Sequence, residues 1–151
     1  MTAIRPLGAL ELDIAAALHG AAFAEWGERA WSRADFAGLL AAPGTVALLH
    51  DGATPDGLAL GRHAADEGEI LTLAVHPLAR RHGVGRALIA ALLARLAAAG
   101  AAQVFLEVAA DNAGAQALYR GFGFEVAGRR PAYYARAGLP PADAVLMRRV
   151  A

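Results

Sequence analysis

Apolar positions along this chain follow two rhythms, and the order in which the rhythms alternate decides its class. Short apolar runs at 45–50, 58–63 and 69–75 have strand length, and D-G-A-T-P-D-G, rich in turn residues, separates the first two. They predict an antiparallel meander. Residues 85–99 read G-R-A-L-I-A-A-L-L-A-R-L-A-A-A, a long helix closed by Gly100, where a left-handed residue is favoured. Strands over 103–109, 124–128 and 144–150 and a helix over 112–121 complete the C-terminal half. A strand over 4–7 and helices over 10–23 and 32–40 precede the meander, the second helix stopped by Pro43-Gly44. Residues 129–143, with three prolines, are predicted as a long loop.

Antiparallel strands followed by strand–helix–strand–helix–strand imply one mixed, mostly antiparallel sheet flanked by helices, an α+β architecture. At 151 residues, with no internal repeat or linker, a single domain over 1–151 is expected.

Composition narrows the chemistry mainly by what it lacks. There is no cysteine, which excludes disulfides, thiolate metal sites and a cysteine nucleophile. All 14 basic residues are arginine, so Schiff-base chemistry and the phosphate-loop lysine of nucleotide hydrolases are excluded as well. The one serine, Ser32, opens S-R-A-D, a capping-box pattern at a helix head. Direct transfer or binding is therefore expected in place of covalent catalysis. Fourteen basic and 14 acidic residues balance, so no basic field for nucleic acid is indicated. Arg86 and Arg95 bracket only eight residues of the most apolar helix, too few to span a bilayer. No signal-peptide pattern opens the chain, and a cytoplasmic location is the expectation.

Three segments carry candidate chemistry. The first is the turn Arg80-Arg81-His82-Gly83-Val84-Gly85-Arg86, which follows a strand and opens a helix. Backbone N–H groups at the positive end of a helix dipole, beside fixed arginine charge, suit a phosphorylated ligand. A tight turn with solvated arginines is the alternative. A dinucleotide fold fails for want of the third glycine and the acidic strand end, and a nucleotide-hydrolase loop fails for want of lysine. The second is Glu107 in V-F-L-E-V-A: an isolated carboxylate among apolar strand residues either faces a wet cleft, where it could act as a base, or lies on the solvent side of the sheet. The third is D-N-A-G-A-Q-A-L-Y-R-G-F-G-F at 111–124. There Asp111 or Asn112 can cap a helix, and Tyr119 is either plain core or a phenol facing a cleft. The histidines show no metal-ligand spacing, and no metal is expected.

Taken together, these motifs over about 45–150 resemble the Gcn5-related N-acetyltransferase family. R-R-H-G-V-G resembles that family's acetyl-CoA pyrophosphate loop, and the resemblance makes Arg80, Arg81, His82, Gly83, Val84, Gly85 and Arg86 cofactor contacts. The preceding Leu73, Ala74 and Val75 match the strand whose backbone holds the pantetheine and polarises the thioester. N-x-x-A-x-x-L-Y-x-x-x-G-F, from Asn112 to Phe124, resembles the family's C-terminal cofactor motif. I-L-T-L-A-V, F-L-E-V with its downstream asparagine, and R-x-x-Y-Y followed by D-A-V-L-M are similar to the branch that acetylates the N-terminal alanine of a small-subunit ribosomal protein. That likeness implies acetyl-CoA as cosubstrate, Glu107 as proton acceptor, Tyr119 as proton donor, and Arg130, Tyr133 and Tyr134 beside the acceptor. Another protein terminus, a small amine, or a non-catalytic acetyl-CoA-binding role are the alternatives. The first 44 residues match only loosely.

Overall fold

The computed structural model describes residues 3–150. Seven strands form one sheet: β1 (Ile4–Pro6), β2 (Thr45–Asp51), β3 (Pro55–Ala64), β4 (Glu67–Val75), β5 (Gln103–Ala109), β6 (Glu125–Arg136) and β7 (Leu139–Val150). Their spatial order is β1-β2-β3-β4-β5-β7-β6, and every neighbouring pair is antiparallel except β4 and β5. Helices α1 (Leu12–Phe23) and α2 (Arg33–Ala41) precede the meander; α3 (Val84–Ala98) and α4 (Ala113–Gly121) connect the later strands. The α+β order read from the sequence is the order found.

Two cores lie on opposite faces of the sheet. Alanines and leucines of α1 (Leu12, Ala15, Leu18, Ala22) and Phe36 of α2 pack on Leu49, Leu58, Leu60 and Ala74. Leu88, Ile89, Leu92, Leu93 and Leu96 of α3 pack on Leu48, Ala59, Ile70, Val104 and Leu106, with Tyr119 and Phe124 beside them. The Ser32 pattern is a reciprocal capping box: Asp35 N donates to Ser32 Oγ at 3.1 Å, and Ser32 N donates to the Asp35 carboxylate at 2.8 Å. Gly100 takes φ +106 and ends the last turn of α3.

Two irregularities in β4 position the site. Leu60 pairs with Thr72 but Gly61 pairs with Ile70, so Leu71 is an extra residue in β4. The bulge reverses the alternation of side chains. Ile70 faces the α3 core before it and Leu73 and Val75 face that core after it, while Leu71 and Ala74 face α1. Beyond Ile70 and Leu106, β4 and β5 no longer pair. The two strands diverge there, and the edge of β4 from Leu71 onward is left without a strand partner on the β5 side.

The predicted loop at 129–143 is instead the distal part of a long hairpin. β6 and β7 continue to Arg136 and Leu139, with Gly138 at φ +69 in the turn between them. The prolines are tolerated because of where they fall. Pro140 and Pro141 lie beyond Ala144, the last β7 residue paired with β5, and within the register shift between the Tyr134–Ala142 and Arg136–Leu139 pairs, so neither edge has a regular ladder to interrupt there. Pro131 sits inside a register shift between Arg130 and Tyr134, where Ala132 adopts φ +51. Asp143 closes that bulge: it accepts from Ala132 N and from Arg129 Nε, each at 2.8 Å. Those two bonds hold its carboxyl below the ordinary carboxylate range.

Candidate functional site

Where β4 and β5 separate, two cavities open, and Phe23, Leu73, Asn112 and Ala115 line both. The larger, about 730 Å³, lies at the head of α3. Its wall contains Leu73, Val75, Arg80, Arg81, Gly83, Val84, Gly85 and Arg86. The first-turn amides of α3 have no carbonyl one turn earlier to accept them, so they present positive dipole ends here. Gly83, the residue before α3, adopts φ +79, and a side chain there would enter open space. Arg81 shares the left-handed conformation at φ +67. Arg86 lies over the Phe122 ring at 5.7 Å.

The residues of this group have different surroundings. Arg80 is engaged within the protein: its guanidinium pairs with Glu25 and donates to Ala22 O at 2.9 Å, tying the loop to the end of α1. Ala74 packs among the α1 and α2 residues, so only its backbone is available on the other side. His82 is exposed, outside the cavity wall, with Nδ1 3.3 Å from Ala79 O. Asn112 caps α4, accepting from Ala115 N at 3.1 Å, and its position places it at the junction of the two cavities.

The smaller cavity, about 320 Å³, passes through the gap between the strands. On β5, Val104, Leu106 and Val108 pack against the α3 core, so Glu107 between them projects to the α1 face. Its side chain is only 20 % exposed, which answers the sequence ambiguity: Glu107 is sheltered in the cleft. One oxygen lies 3.2 Å from Arg130 Nη2. The other, Oε2, is buried and has no hydrogen-bond partner. A buried unpartnered carboxylate oxygen is costly and is a place where a ligand proton fits.

Tyr119 reaches the same cavity from the opposite face. Its ring packs edge-on against Phe124 at 5.8 Å, so the core and cleft alternatives are both realised by one side chain. Burial pushes its phenol well above the ordinary tyrosine value, which keeps it protonated. Tyr133 and Tyr134, stacked edge to face at 5.0 Å, close the outer side, and Arg130 lies 5.3 Å over the Tyr133 ring. Burial first, then the nearby charge of Glu107, raises the Tyr134 phenol too. Arg130 itself is behind Glu107, outside the wall.

Sequence reasoning missed most of the N-terminal wall. His19, Phe23, Glu28, Arg29 and Trp31 line the smaller cavity, and Glu25 and Trp26 line the larger. The available signal was A-E-W-G-E-R between two alanine-rich helices, a charged and aromatic insert in an otherwise plain stretch. His19 stacks on Trp31 at 4.8 Å and accepts from Trp31 N at 3.1 Å. Its burial lowers its pKa to about 4, so it is neutral and structural near pH 7.

Among the described residues, no group of three or more histidine, aspartate or glutamate side chains is placed to hold a metal, and no helix is long and apolar enough to cross a membrane. Comparison with known proteins gives a consistent result. The N-alpha-acetyltransferase RimI of Mycobacterium tuberculosis is 40% identical over 128 residues, 82% of this chain and 77% of that protein. An uncharacterised protein of Mycobacterium leprae is 49% identical over 92 residues; the match takes 61% of this chain but spans only about a quarter, 24%, of that protein's length. The ribosomal-protein-S18-alanine N-acetyltransferase of Escherichia coli superposes with a TM-score of 0.88 at 30% identity, covering 99% of this chain and 94% of that one. The model of the Acetyltransferase (GNAT) family matches residues 13–124, and the chain belongs to that family.

Proposed function

We propose that the chain transfers the acetyl group of acetyl-CoA to the N-terminal α-amine of a protein, with an N-terminal alanine of a small-subunit ribosomal protein as the preferred acceptor. The observation that carries this reading is the meeting of two unlike cavities at one strand gap, with the orphaned Oε2 of Glu107 in the smaller of them. The larger cavity fits an elongated anion with an apolar arm. The helix head, Gly83 and the arginines suit a pyrophosphate, and Leu73, Val75 and Leu118 suit a pantetheine. Acetyl-CoA supplies the activated acyl group as a thioester.

The smaller cavity suits a cation that must lose its charge. An α-amine of pKa near 7.8 is neutral in roughly one molecule in seven at pH 7, against about one in 2,500 for a lysine side chain. Modest help from a base suffices, and Glu107 is the carboxylate in reach. The nitrogen forms its bond to the acyl carbon, Glu107 takes the proton the nitrogen sheds, and the carbon–sulfur bond breaks. Tyr119, held protonated by burial, gives its proton to the departing thiolate. The free backbone edge of β4 beyond Ile70 supplies donors for the oxyanion. One relative named for N-alpha acetylation and one named for S18-alanine acetylation support the acceptor.

The test is to incubate the protein with acetyl-CoA and peptides that differ in their first residues and to locate the acetyl group by mass spectrometry. Acetyl on the α-nitrogen of Ala-initiated peptides is expected. Modification confined to internal lysines, or to small amines, would overturn the acceptor assignment.

A further inference from the structure

We propose that Arg136 is a positioning residue: it locks the segment between α1 and α2 to the β6–β7 hairpin and ties both to the β5–α4 turn, so that the acceptor slot is fixed before the acceptor arrives. This inference rests on the reading of the smaller cavity as the acceptor site. Its basis is a three-way junction on a buried guanidinium, with Glu28 sheltered and Asp111 half exposed. The Arg136 side chain is 6% exposed. Its Nη2 donates to Glu28 at 3.1 Å and to Asp111 at 2.9 Å, and Nη1 donates to Asp111 as well. The guanidinium lies 5.5 Å over the Trp26 ring. Three segments far apart in sequence thus converge on one planar fork.

Backbone contacts reinforce the junction at the same place. Ala137 N donates to Gly27 O at 3.0 Å. Gly27 adopts φ +65, and a Cβ there would stand 3.4 Å from Ala137 N, so the two backbones are in close approach. The clamp matters for the acceptor because both joined segments are walls of its slot: Glu28 and Trp31 come from one, Tyr133 and Tyr134 from the other. Asp111 brings in the turn that carries Asn112, which lines both cavities. Glu107 stands on β5, in the sheet, and does not depend on the clamp. Removing the guanidinium should therefore loosen the slot while leaving the reacting groups in place. A lysine lacks the planar fork, so it would lose the second bond to Asp111 and the flat stack on Trp26.

The decisive experiment compares wild type with Arg136→Met, Arg136→Lys and Glu28→Gln in three measurements. The first is hydrogen exchange of the Ala137 amide, the second acetyl-CoA affinity, and the third the kinetics on an Ala-initiated peptide. Breaking a buried charge-assisted junction is expected to speed Ala137 exchange and raise the peptide KM, each about tenfold or more. kcat should stay within about threefold, and because Trp26 and Asp111 also line the larger cavity, acetyl-CoA affinity should fall, but by less than the peptide KM rises. Arg136→Lys should recover only part of the loss, and Glu28→Gln, which keeps the arginine, should move the same parameters by less. The Arg136→Met/Glu28→Gln double variant should be little worse than Arg136→Met alone.

Unchanged exchange in Arg136→Met and in Glu28→Gln would overturn the proposal. So would a fall in kcat without a rise in KM. If wild type acetylated no peptide terminus, the acceptor reading would fail, and the exchange measurement would still judge the clamp. Should Arg136→Met not fold, Glu28→Gln carries the same test.

Discussion

The two cavities differ in how the chain builds them. The larger is made mostly from two continuous stretches, 73–86 and 111–118, with only the end of α1 and its following turn added from elsewhere. The smaller takes its wall from 19–31, 70–73, 106–119 and 133–135, segments that meet only through the fold. They differ in charge as well. The first has Arg80, Arg81 and Arg86 against Glu25 and Asp111, with amide dipoles added, whereas the second has Glu28 and Glu107 against Arg29 amid aromatic rings. A ligand common to a whole family can be held by a local motif, while the partner that varies is held by parts that can change independently. Mutations should separate the two halves along that line.

The largest effect is expected in the smaller cavity. Glu107→Gln should lower kcat on an Ala-initiated peptide by about 100-fold or more, the usual worth of a general base, with acetyl-CoA affinity unchanged by calorimetry. Tyr119→Phe should act in the same direction, by less, because water can protonate a thiolate. Equal loss of acetyl-CoA binding in either variant would break the division between the cavities.

Gly83→Asp tests the other side. The new side chain would strain a φ of +79 and place a negative charge at the helix head, so acetyl-CoA affinity should fall by about tenfold or more. Since a Cβ there meets open space, the fold should persist, as a thermal melt would show.

A pH titration of stability sharpens the comparison further, because His19 belongs only to the acceptor side. Its folded pKa of about 4 lies below the ordinary 6.5, so between those values the unfolded chain binds more protons. Stability should therefore fall as pH drops from 6.5 towards 4, and His19→Phe should flatten that slope in urea melts at a series of pH values. Last and smallest, Ser32→Ala removes one cap of α2 and should cost about 1 kcal/mol in the same melts without changing acetyl-CoA affinity.

The same contrast explains how much was readable in the sequence. The run from 69 to 100 announced its strand, turn, helix and stop because each signal is local: apolar run, glycines, apolar helix, Gly100. A cap at Asp111 or Asn112 was legible for the same reason, and the structure gives the role to Asn112. Glu107 could be singled out as a misplaced carboxylate, but its neighbours Glu28 and Tyr134 could not be joined to it without the fold. The hairpin distal to Arg129 was misread because prolines were weighed as breakers. Their harm depends on which edge of the strand needs a hydrogen bond, and that is defined by where β5 stops and where the β6–β7 register shifts. Arg136 carried no signal at all: one arginine in a chain of 14 looks like any other until Glu28 and Asp111 are beside it.

The extra residue at Leu71 gives β4 a property resembling a reading frame. Substitutions along the strand change one side chain at a time and leave the remainder where they were. Losing a single residue between Ile70 and Leu73 would exchange inside for outside all the way to Val75. Leu73 and Val75 would turn towards α1, and Ala74 would take their place in the wall of the larger cavity. This short stretch should therefore accept many exchanges of residue type in related chains but almost no change of length, and counting its residues would be a sharper mark of a working site than matching their identities.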